Sequence, residues 1–198
     1  MHDNNYHHGH LRQDLIEKGI ELLNEEGYAN LSLRKVAKAC GVSHAAPYNH
    51  FKDKDELLLA MQRHVEMEFA RVLQQAAVDG AGDDTLMALG LAYINFFVQN
   101  PAYFRFMQNQ DNAGIVISRN EIKSNYLPFN LFRDKALAQM ALWGLPSKKQ
   151  ADLLAAMWAV VHGITAMATM QSVTYDGDWC VLAEEIMHKG LFVKGENI

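Results

Sequence analysis

Apolar residues recur every three or four positions along nearly the whole chain, and this spacing constrains the fold more than any other feature of the sequence. Residues three or four positions apart share one face of a helix, so the pattern is typical of amphipathic α-helices. No convincing strand pattern appears, because the apolar run 115–117 is too short. We therefore predict an all-α protein whose helices bury their apolar faces against one another.

The predicted helices begin at capping residues and end at glycine or proline. Ser32 and Ser43 can each cap the helix that follows, and Asp53 with Glu56 forms a capping-box-like pair. The predicted helices cover approximately residues 11–26, 32–40, 44–50, 53–78, 85–100, 101–108, 121–142, 147–172 and 178–192.

Two segments interrupt the helical pattern in the middle of the chain. Residues 79–84 are rich in glycine and aspartate and form the clearest linker, and residues 109–120 are predicted to be a loop. Further on, Pro128 should bend its helix, and Ser147 and Asp178 can cap the last two helices.

Charge and cysteine content exclude several classes of protein. The 198 residues carry 18 basic and 23 acidic side chains, a net charge of −5, so the protein does not coat nucleic acid by bulk charge. The total charge does not exclude a small local basic surface. Two cysteines cannot form a disulfide framework, and residues 1–10 contain no apolar segment typical of a signal peptide. We expect a cytoplasmic protein.

One long segment lacks charge. Residues 153–175 contain no Asp, Glu, Lys or Arg, and the apolar part approaches the length of a membrane span. His162, Gly163 and Thr165 interrupt it, and no second such segment exists. A helix that is apolar all round in a soluble protein is usually buried in a core or in an oligomer interface. We therefore expect no membrane contact.

Residues 32–51 have the spacing of a helix-turn-helix. Two short helices flank a tight turn at residues 40–42, so the second helix can enter the major groove while the first crosses the DNA backbone. Arg34 and the helix N-termini at Ser32 and Ser43 can attract phosphates. The acidic residues cluster on the first helix, which leaves a local basic surface for a few phosphate contacts. A plain helical hairpin is the alternative.

These motifs resemble a known family. Residues 9–65 are similar to the DNA-binding domain of TetR-family transcriptional regulators, through the first helix ending in EEGY, the segment SLRKVAKACGVS and the tail Y-x-H-F-K-x-K-x-E-L. The run MWAVVHGITAM, with the opening YHHGHLRQDLI, resembles a subfamily named for a Trp-His-Gly motif.

The resemblance implies an all-helical homodimer. A three-helix DNA-binding head, residues 9–65 with the helix-turn-helix at 32–51, would be joined by a long helix to a ligand-binding and dimerisation body, residues 83–198. The last two long helices would form a four-helix bundle with a second copy. The protein would repress transcription from a palindromic operator on double-stranded DNA, and a small-molecule effector would release it.

The resemblance also assigns DNA-contacting residues by position. The residues expected at the major groove or its rim are His44, Ala45, Ala46, Tyr48 and Asn49. The residues expected at phosphates are Ser32, Arg34, Ser43, Tyr48, His50 and Lys54. Asn49 could pair with adenine, and Ala45 or Ala46 could touch a thymine methyl. Pro47 departs from the family pattern because it lacks an N–H inside the recognition helix.

The body contains many aromatic and methionine residues, which are mostly core. A subset could line a pocket for a largely apolar effector. The candidate ligand-binding residues are Phe97, Phe104, Met107, Phe129, Trp158 and His162. No cofactor or metal site is predicted, because His7, His8 and His10 have no Cys or carboxylate at ligand spacing.

Two other functions compete with the regulator. An enzyme is disfavoured, because the sequence contains no nucleophile elbow, phosphate loop, metal-ligand pattern or paired catalytic carboxylates. A helical module that binds a protein or lipid partner and no longer reads DNA is favoured by Pro47 and by the nearly neutral head.

Overall fold

A computed structural model describes residues 10–80, 82–109, 114–118 and 120–190. The described residues are 76% helical with almost no sheet, which confirms the predicted all-α fold. The α-helices are α1 (Leu11–Glu26), α2 (Leu33–Ala39), α3 (Lys54–Asp79), α4 (Thr85–Gln99), α5 (Pro101–Gln108), α6 (Leu127–Leu142), α7 (Ser147–Thr169) and α8 (Trp179–Gly190). Short 3-10 helices span Tyr28–Asn30, Ala46–Asn49 and Gly82–Asp84, and two strands are β1 (Val116–Ile117) and β2 (Ile122–Lys123).

The chain forms two compact units. Among the described residues, the first unit comprises residues 10–65 together with residues 105–109. The second unit comprises the described residues of the ranges 66–104 and 114–190. Helices α3 and α5 each contribute residues to both units.

The first unit has its own apolar core between α1, α2 and the first turns of α3. Leu15, Val36 and Leu57 are completely buried in it. Gly19 lies where α1 packs closely on α3, because a Cβ there would be 3.0 Å from the Met61 sulfur. This packing fixes the position of the short segment between α2 and α3.

Three of the five predicted caps are present, at Ser32, Asp53 and Asp178. The Lys35 N–H donates to Ser32 Oγ at 3.3 Å, and the Glu56 N–H donates to Asp53 Oδ1 at 2.9 Å. Asp178 Oδ1 accepts the N–H groups of Cys180 and Val181 at the start of α8. These bonds satisfy amide groups that the first turn of a helix leaves without a partner.

The predicted caps at Ser43 and Ser147 are wrong. The 3-10 helix that follows Ser43 has Ala45 at its N-cap and no side-chain cap bond. Ser147 is the first helical residue of α7, and the N-cap is Pro146, whose carbonyl accepts the Lys149 N–H at 2.8 Å. Proline at the N-cap has extended backbone angles (φ −59°, ψ 140°) and needs no side-chain oxygen to begin the helix.

Residues 115–128 also differ from prediction. Val116 pairs with Lys123 and Ile117 with Ile122 in an antiparallel ladder, so a short strand pair exists where a loop and the start of a helix were expected. Two-residue strands are too short to produce visible alternation. Pro128 lies in the first turn of α6 and does not bend it, because a missing N–H is tolerated there.

The second unit is built around α4, α7 and α8. Its core contains Met87, Ile94, Val161, Ile164, Ala183 and Met187. Gly90 allows the close approach, because a Cβ there would lie 2.9 Å from the Met187 sulfur and 3.3 Å from Val161 Cγ1. By length and composition α7 is apolar enough to cross a membrane, yet only 33% of its most apolar 18-residue window is buried. Its outer face exposes Ala155, Ala159 and Met167.

Candidate DNA-binding surface and ligand-binding cluster

The predicted recognition helix over residues 44–50 is replaced by a turn and one 3-10 turn. The Ala46 N–H donates to the Ser43 carbonyl at 3.0 Å, and the 3-10 helix covers Ala46–Asn49. Pro47 explains the difference, because it lacks the N–H that an α-helix begun at His44 would use. The Pro47 ring is instead buried, and its carbonyl accepts the His50 and Phe51 N–H groups.

This segment presents a small set of side chains to solvent. His44, Ala45 and Asn49 are exposed, and Tyr48 is 53% exposed. Ala46 and His50 are half-buried. The surface expected to face the bases therefore carries three side chains with hydrogen-bonding groups, on His44, Tyr48 and Asn49.

Two of the basic side chains near this segment already have partners. The Lys54 ammonium donates to the Tyr28 carbonyl oxygen and lies 3.7 Å from the centroid of the Tyr28 ring. Lys35 forms an ion pair with Glu26 at 2.5 Å. Ser43 and Arg34 are exposed, whereas Ser32 Oγ serves as the cap of α2.

Three further cations are available to phosphates. Arg34, Lys38 and Lys52 are exposed, and none of them forms an ion pair with another described residue. Each phosphate that a cation neutralises releases counterions, so the salt dependence of DNA affinity grows with the number of such cations. Three cations per subunit therefore imply a modest salt dependence.

Five of the six candidate ligand-binding residues lie together in the second unit. The His162 ring centroid is 5.4 Å from that of Phe104 and 5.9 Å from that of Trp158. Phe97 contacts Phe104 at 5.2 Å, and Phe129 contacts Trp158 at 5.6 Å. Phe69 and Tyr93 contact Phe97 and so join this group. We define the aromatic cluster as Phe69, Tyr93, Phe97, Phe104, Phe129, Trp158 and His162. Met107 belongs to the first unit and makes none of these ring contacts.

A hydrogen bond joins two polar side chains of the cluster. The Tyr93 hydroxyl lies 2.9 Å from His162 Nδ1. In a neutral imidazole whose other nitrogen carries the proton, Nδ1 accepts the Tyr93 O–H. Burial raises the pKa of Tyr93 and lowers the pKa of His162, so both groups are neutral at pH 7.

Sequence reasoning missed two polar residues beside the cluster. Glu66 Oε1 accepts the Leu127 N–H at 3.0 Å, at the first turn of α6. Burial, the Tyr93 hydroxyl and the Glu66 carboxylate all raise the pKa of Tyr126, which precedes Leu127. Glu66 belongs to no motif in the sequence, so nothing pointed to it. Tyr93 and Tyr126 could have been added to the candidate residues only because they are aromatic.

The lowered pKa of His162 predicts a loss of stability in acid. The unfolded chain binds a proton near the ordinary histidine pKa of about 6.5, whereas the folded protein binds it only at lower pH. Stability should therefore fall as pH decreases through the unfolded pKa. In His162→Gln, whose amide oxygen still accepts from Tyr93, this part of the loss should vanish when urea unfolding is compared at pH 7.5 and pH 5.5.

His188 provides the control for this experiment, because it is an exposed histidine near the end of α8. His188→Gln should retain the wild-type pH dependence. An unchanged pH dependence in His162→Gln would contradict the burial of a neutral imidazole.

An all-helical chain with a helix-turn-helix segment in one unit and an aromatic core in a second helical unit has the architecture of a DNA-binding transcriptional regulator. Residues 15–61 match the family described as "Bacterial regulatory proteins, tetR family". Residues 86–188, more than half of the chain, match "Tetracyclin repressor-like, C-terminal domain". The chain belongs to the TetR family, whose members are non-enzymatic DNA-binding regulators.

Individual relatives agree with this assignment. The transcriptional regulator AcuR of Cereibacter sphaeroides is 36% identical over 69 residues, which are 35% of this chain and 32% of AcuR. The match therefore spans about a third of that relative.

Solved structures share the fold over nearly the whole chain. A protein of unknown function from Rhodococcus sp. RHA1 has a TM-score of 0.69 and 23% identity, covering 96% of this chain and 99% of its own. The multidrug binding protein EbrR, solved with malachite green, has a TM-score of 0.58 and 20% identity, covering 90% of this chain and 96% of its own.

Proposed function

We propose that the protein is a homodimeric repressor that leaves a palindromic operator when a small, largely apolar effector binds the aromatic cluster. Residues 9–65 serve as the DNA-binding domain, and residues 83–198 serve as the ligand-binding and dimerisation domain. The exposed turn carrying His44, Tyr48 and Asn49, beside three available cations, is the observation that carries the proposal.

The proposed DNA contacts divide into two kinds. Asn49 can pair with adenine through its amide, and Ala45 or Ala46 can meet a thymine methyl, so these contacts read sequence. Arg34, Ser43, Tyr48 and the other residues assigned to phosphates fix the position of the protein on the duplex. The remaining residues assigned to phosphates are Ser32, His50 and Lys54.

The homodimer is supported by the outer face of α7 and α8. Ala155, Ala159 and Met167 are exposed on α7, and Val181 is exposed on α8. A second copy seated on this face would bury it and would present two DNA-binding domains in two-fold symmetry. Such symmetry requires half-sites in successive major grooves, about 34–36 Å apart, and therefore a palindrome.

The effector is proposed to act by shifting populations. A ligand releases DNA only if it binds more tightly to the conformation that misfits the operator. The aromatic cluster supplies a large apolar surface with neutral polar groups at Tyr93 and His162, as suits a largely apolar molecule. EbrR, solved with malachite green, is a neighbour of the same fold that binds a small molecule.

The proposed location is the cytoplasm, where the operator is accessible. The apolar helix α7 is assigned to the core and the dimer rather than to a membrane. Membership of the Trp-His-Gly subfamily stays a prediction.

The test is selection of bound duplexes from a random DNA pool at near-physiological salt. The wild type should enrich a palindrome, and Tyr48→Ala and Asn49→Ala should each weaken binding to it, Asn49→Ala by about 1–3 kcal/mol with relaxed preference at one base pair. Asn125→Ala, at an exposed asparagine of the second unit, should bind as the wild type does.

Failure to enrich any sequence would contradict the repressor. The burial of Pro47 and the single 3-10 turn then favour the other candidate, a helical module for a protein or lipid partner. Repeating the selection with a cell extract of small molecules would detect a regulator that needs its ligand to bind DNA.

A further inference from the structure

A contact between Tyr28 and Lys54 joins the two ends of the helix-turn-helix segment. Tyr28 begins the 3-10 helix that follows α1, and Lys54 is the first residue of α3. The Lys54 ammonium donates a hydrogen bond to the Tyr28 carbonyl oxygen and lies 3.7 Å from the centroid of the Tyr28 ring. Residues 32–51 lie between these two residues in sequence, and all of them belong to the first unit.

The groups that hold the Lys54 ammonium are neutral. A ring face and a carbonyl oxygen carry only partial negative charge, so they attract an ammonium ion without cancelling its charge. Lys35 shows the opposite arrangement, because the Glu26 carboxylate neutralises it at 2.5 Å. Lys54 forms no ion pair with another described residue. It therefore keeps a full positive charge that can attract an anion outside the protein.

The carboxylates nearest to Lys54 in sequence bind elsewhere or face solvent. Asp53 Oδ1 accepts the Glu56 N–H at 2.9 Å, and Glu56 Oε2 accepts the Lys52 N–H at 2.6 Å. Asp55 is exposed. The position of the ammonium is therefore set by Tyr28 rather than by a neighbouring carboxylate.

A fixed position favours contact with a phosphate. A lysine side chain that nothing holds samples many rotamers, and it loses that freedom when it binds an anion. The positive end of the α3 dipole also repels a cation at the first helical residue, so the helix itself does not hold Lys54 there. The Tyr28 carbonyl accepts one of the three N–H groups of the ammonium, and no other described residue accepts the remaining two.

We propose that Tyr28 is a positioning residue for DNA binding, which holds the charged Lys54 ammonium at the start of α3 so that it contacts a DNA phosphate. This proposal rests on the proposed function, which assigns Lys54 to a phosphate, and it adds a residue outside the helix-turn-helix that acts through Lys54. Tyr28 is 57% exposed, so its ring does not fill the core. Its ring face and its carbonyl supply the contact, whereas its hydroxyl has no part in it.

The experiment measures affinity for two DNA duplexes by fluorescence anisotropy over a series of salt concentrations. One duplex is the selected palindrome, and the other has a mixed sequence, because phosphate contacts carry no sequence information. In Lys54→Met, affinity for both duplexes should fall, and the slope of log affinity against log salt should become shallower by about 0.9 for each bound subunit. In Tyr28→Leu, affinity for both should fall about three- to tenfold while the slope stays near that of the wild type, because the ammonium is retained but no longer held.

Two further variants separate positioning from a general effect on folding. The conservative variant Tyr28→Phe keeps both the ring and the carbonyl, so it should restore the affinity that Tyr28→Leu loses. When Tyr28→Leu is combined with Lys54→Met, the loss of the ring should cost no further affinity, because Tyr28 acts only through Lys54. A distorted DNA-binding domain would instead weaken the Lys54→Met protein as well.

Wild-type affinity in Tyr28→Leu, an unchanged salt slope in Lys54→Met, or additive losses in the double variant would each overturn the positioning role. These outcomes are distinct from a failure of the repressor. If the duplex selection enriches no palindrome, the repressor is contradicted, whereas the duplex of mixed sequence still tests whether Tyr28 acts through Lys54.

Discussion

Phe69→Ala should lower the free energy of unfolding by about 3–5 kcal/mol, which is the usual cost of removing a buried phenylalanine. Phe69 is 1% exposed, and its ring centroid lies 5.2, 5.1 and 4.8 Å from those of Tyr93, Phe96 and Phe97. The truncation removes these contacts and leaves a cavity that the surrounding rings can fill only in part. Urea unfolding followed by far-ultraviolet circular dichroism measures the change.

Leu142→Ala is the control for this prediction. Leu142 is 81% exposed at the end of α6, so its truncation should change stability by less than about 0.5 kcal/mol. A loss below about 1.5 kcal/mol in Phe69→Ala would mean that the aromatic cluster is loosely packed, contrary to the ring distances.

Ala159→Asp should convert the proposed dimer to a monomer. Ala159 is exposed on the apolar outer face of α7, so the dimer would bury one unpaired carboxylate from each copy. An uncompensated buried charge costs about 3–5 kcal/mol, so association should weaken by at least about 10²-fold. Sedimentation equilibrium should detect the monomer, and operator affinity should fall because one domain reads only one half-site.

Ala138→Asp places the same charge on the exposed surface of α6. This variant should remain dimeric and should bind the operator as the wild type does, because water solvates the added carboxylate. If Ala159→Asp sedimented as a dimer, the interface would have to involve another surface.

Local signals predicted much of the fold. The caps at Ser32, Asp53 and Asp178 are formed by the side chains that the sequence indicated. The stop at Gly27 is also correct, with φ at 81°. Each of these features depends on residues within a few positions of one another, so no knowledge of distant contacts is needed.

Local reasoning failed where two local signals competed. At residues 44–50 the capping serine favoured an α-helix, but Pro47 removed an N–H and was buried, so one 3-10 turn formed instead. At residues 121–127 helical spacing was present, but a two-residue ladder and the position of Pro128 delayed the start of α6. In both cases the positions of proline and of neighbouring segments decided where the helix could begin.

The candidate ligand site shows the same division. Five residues chosen for their aromatic or imidazole side chains do lie together, because aromatic residues on the apolar faces of helices converge in the core. Met107 does not join them, because the end of α5 belongs to the first unit. Glu66 could not be chosen, since its bond to Leu127 joins residues 61 positions apart.

The sequence by itself determined the helical class, most helix limits and the resemblance to the TetR family, because periodicity, caps and short motifs act over a few residues. Only the tertiary structure decided that the recognition segment is a single 3-10 turn, that Lys54 contacts Tyr28, and that the Glu66 carboxylate accepts the Leu127 N–H at the start of α6. These features depend on which distant side chains become neighbours, and that follows from how the helices pack.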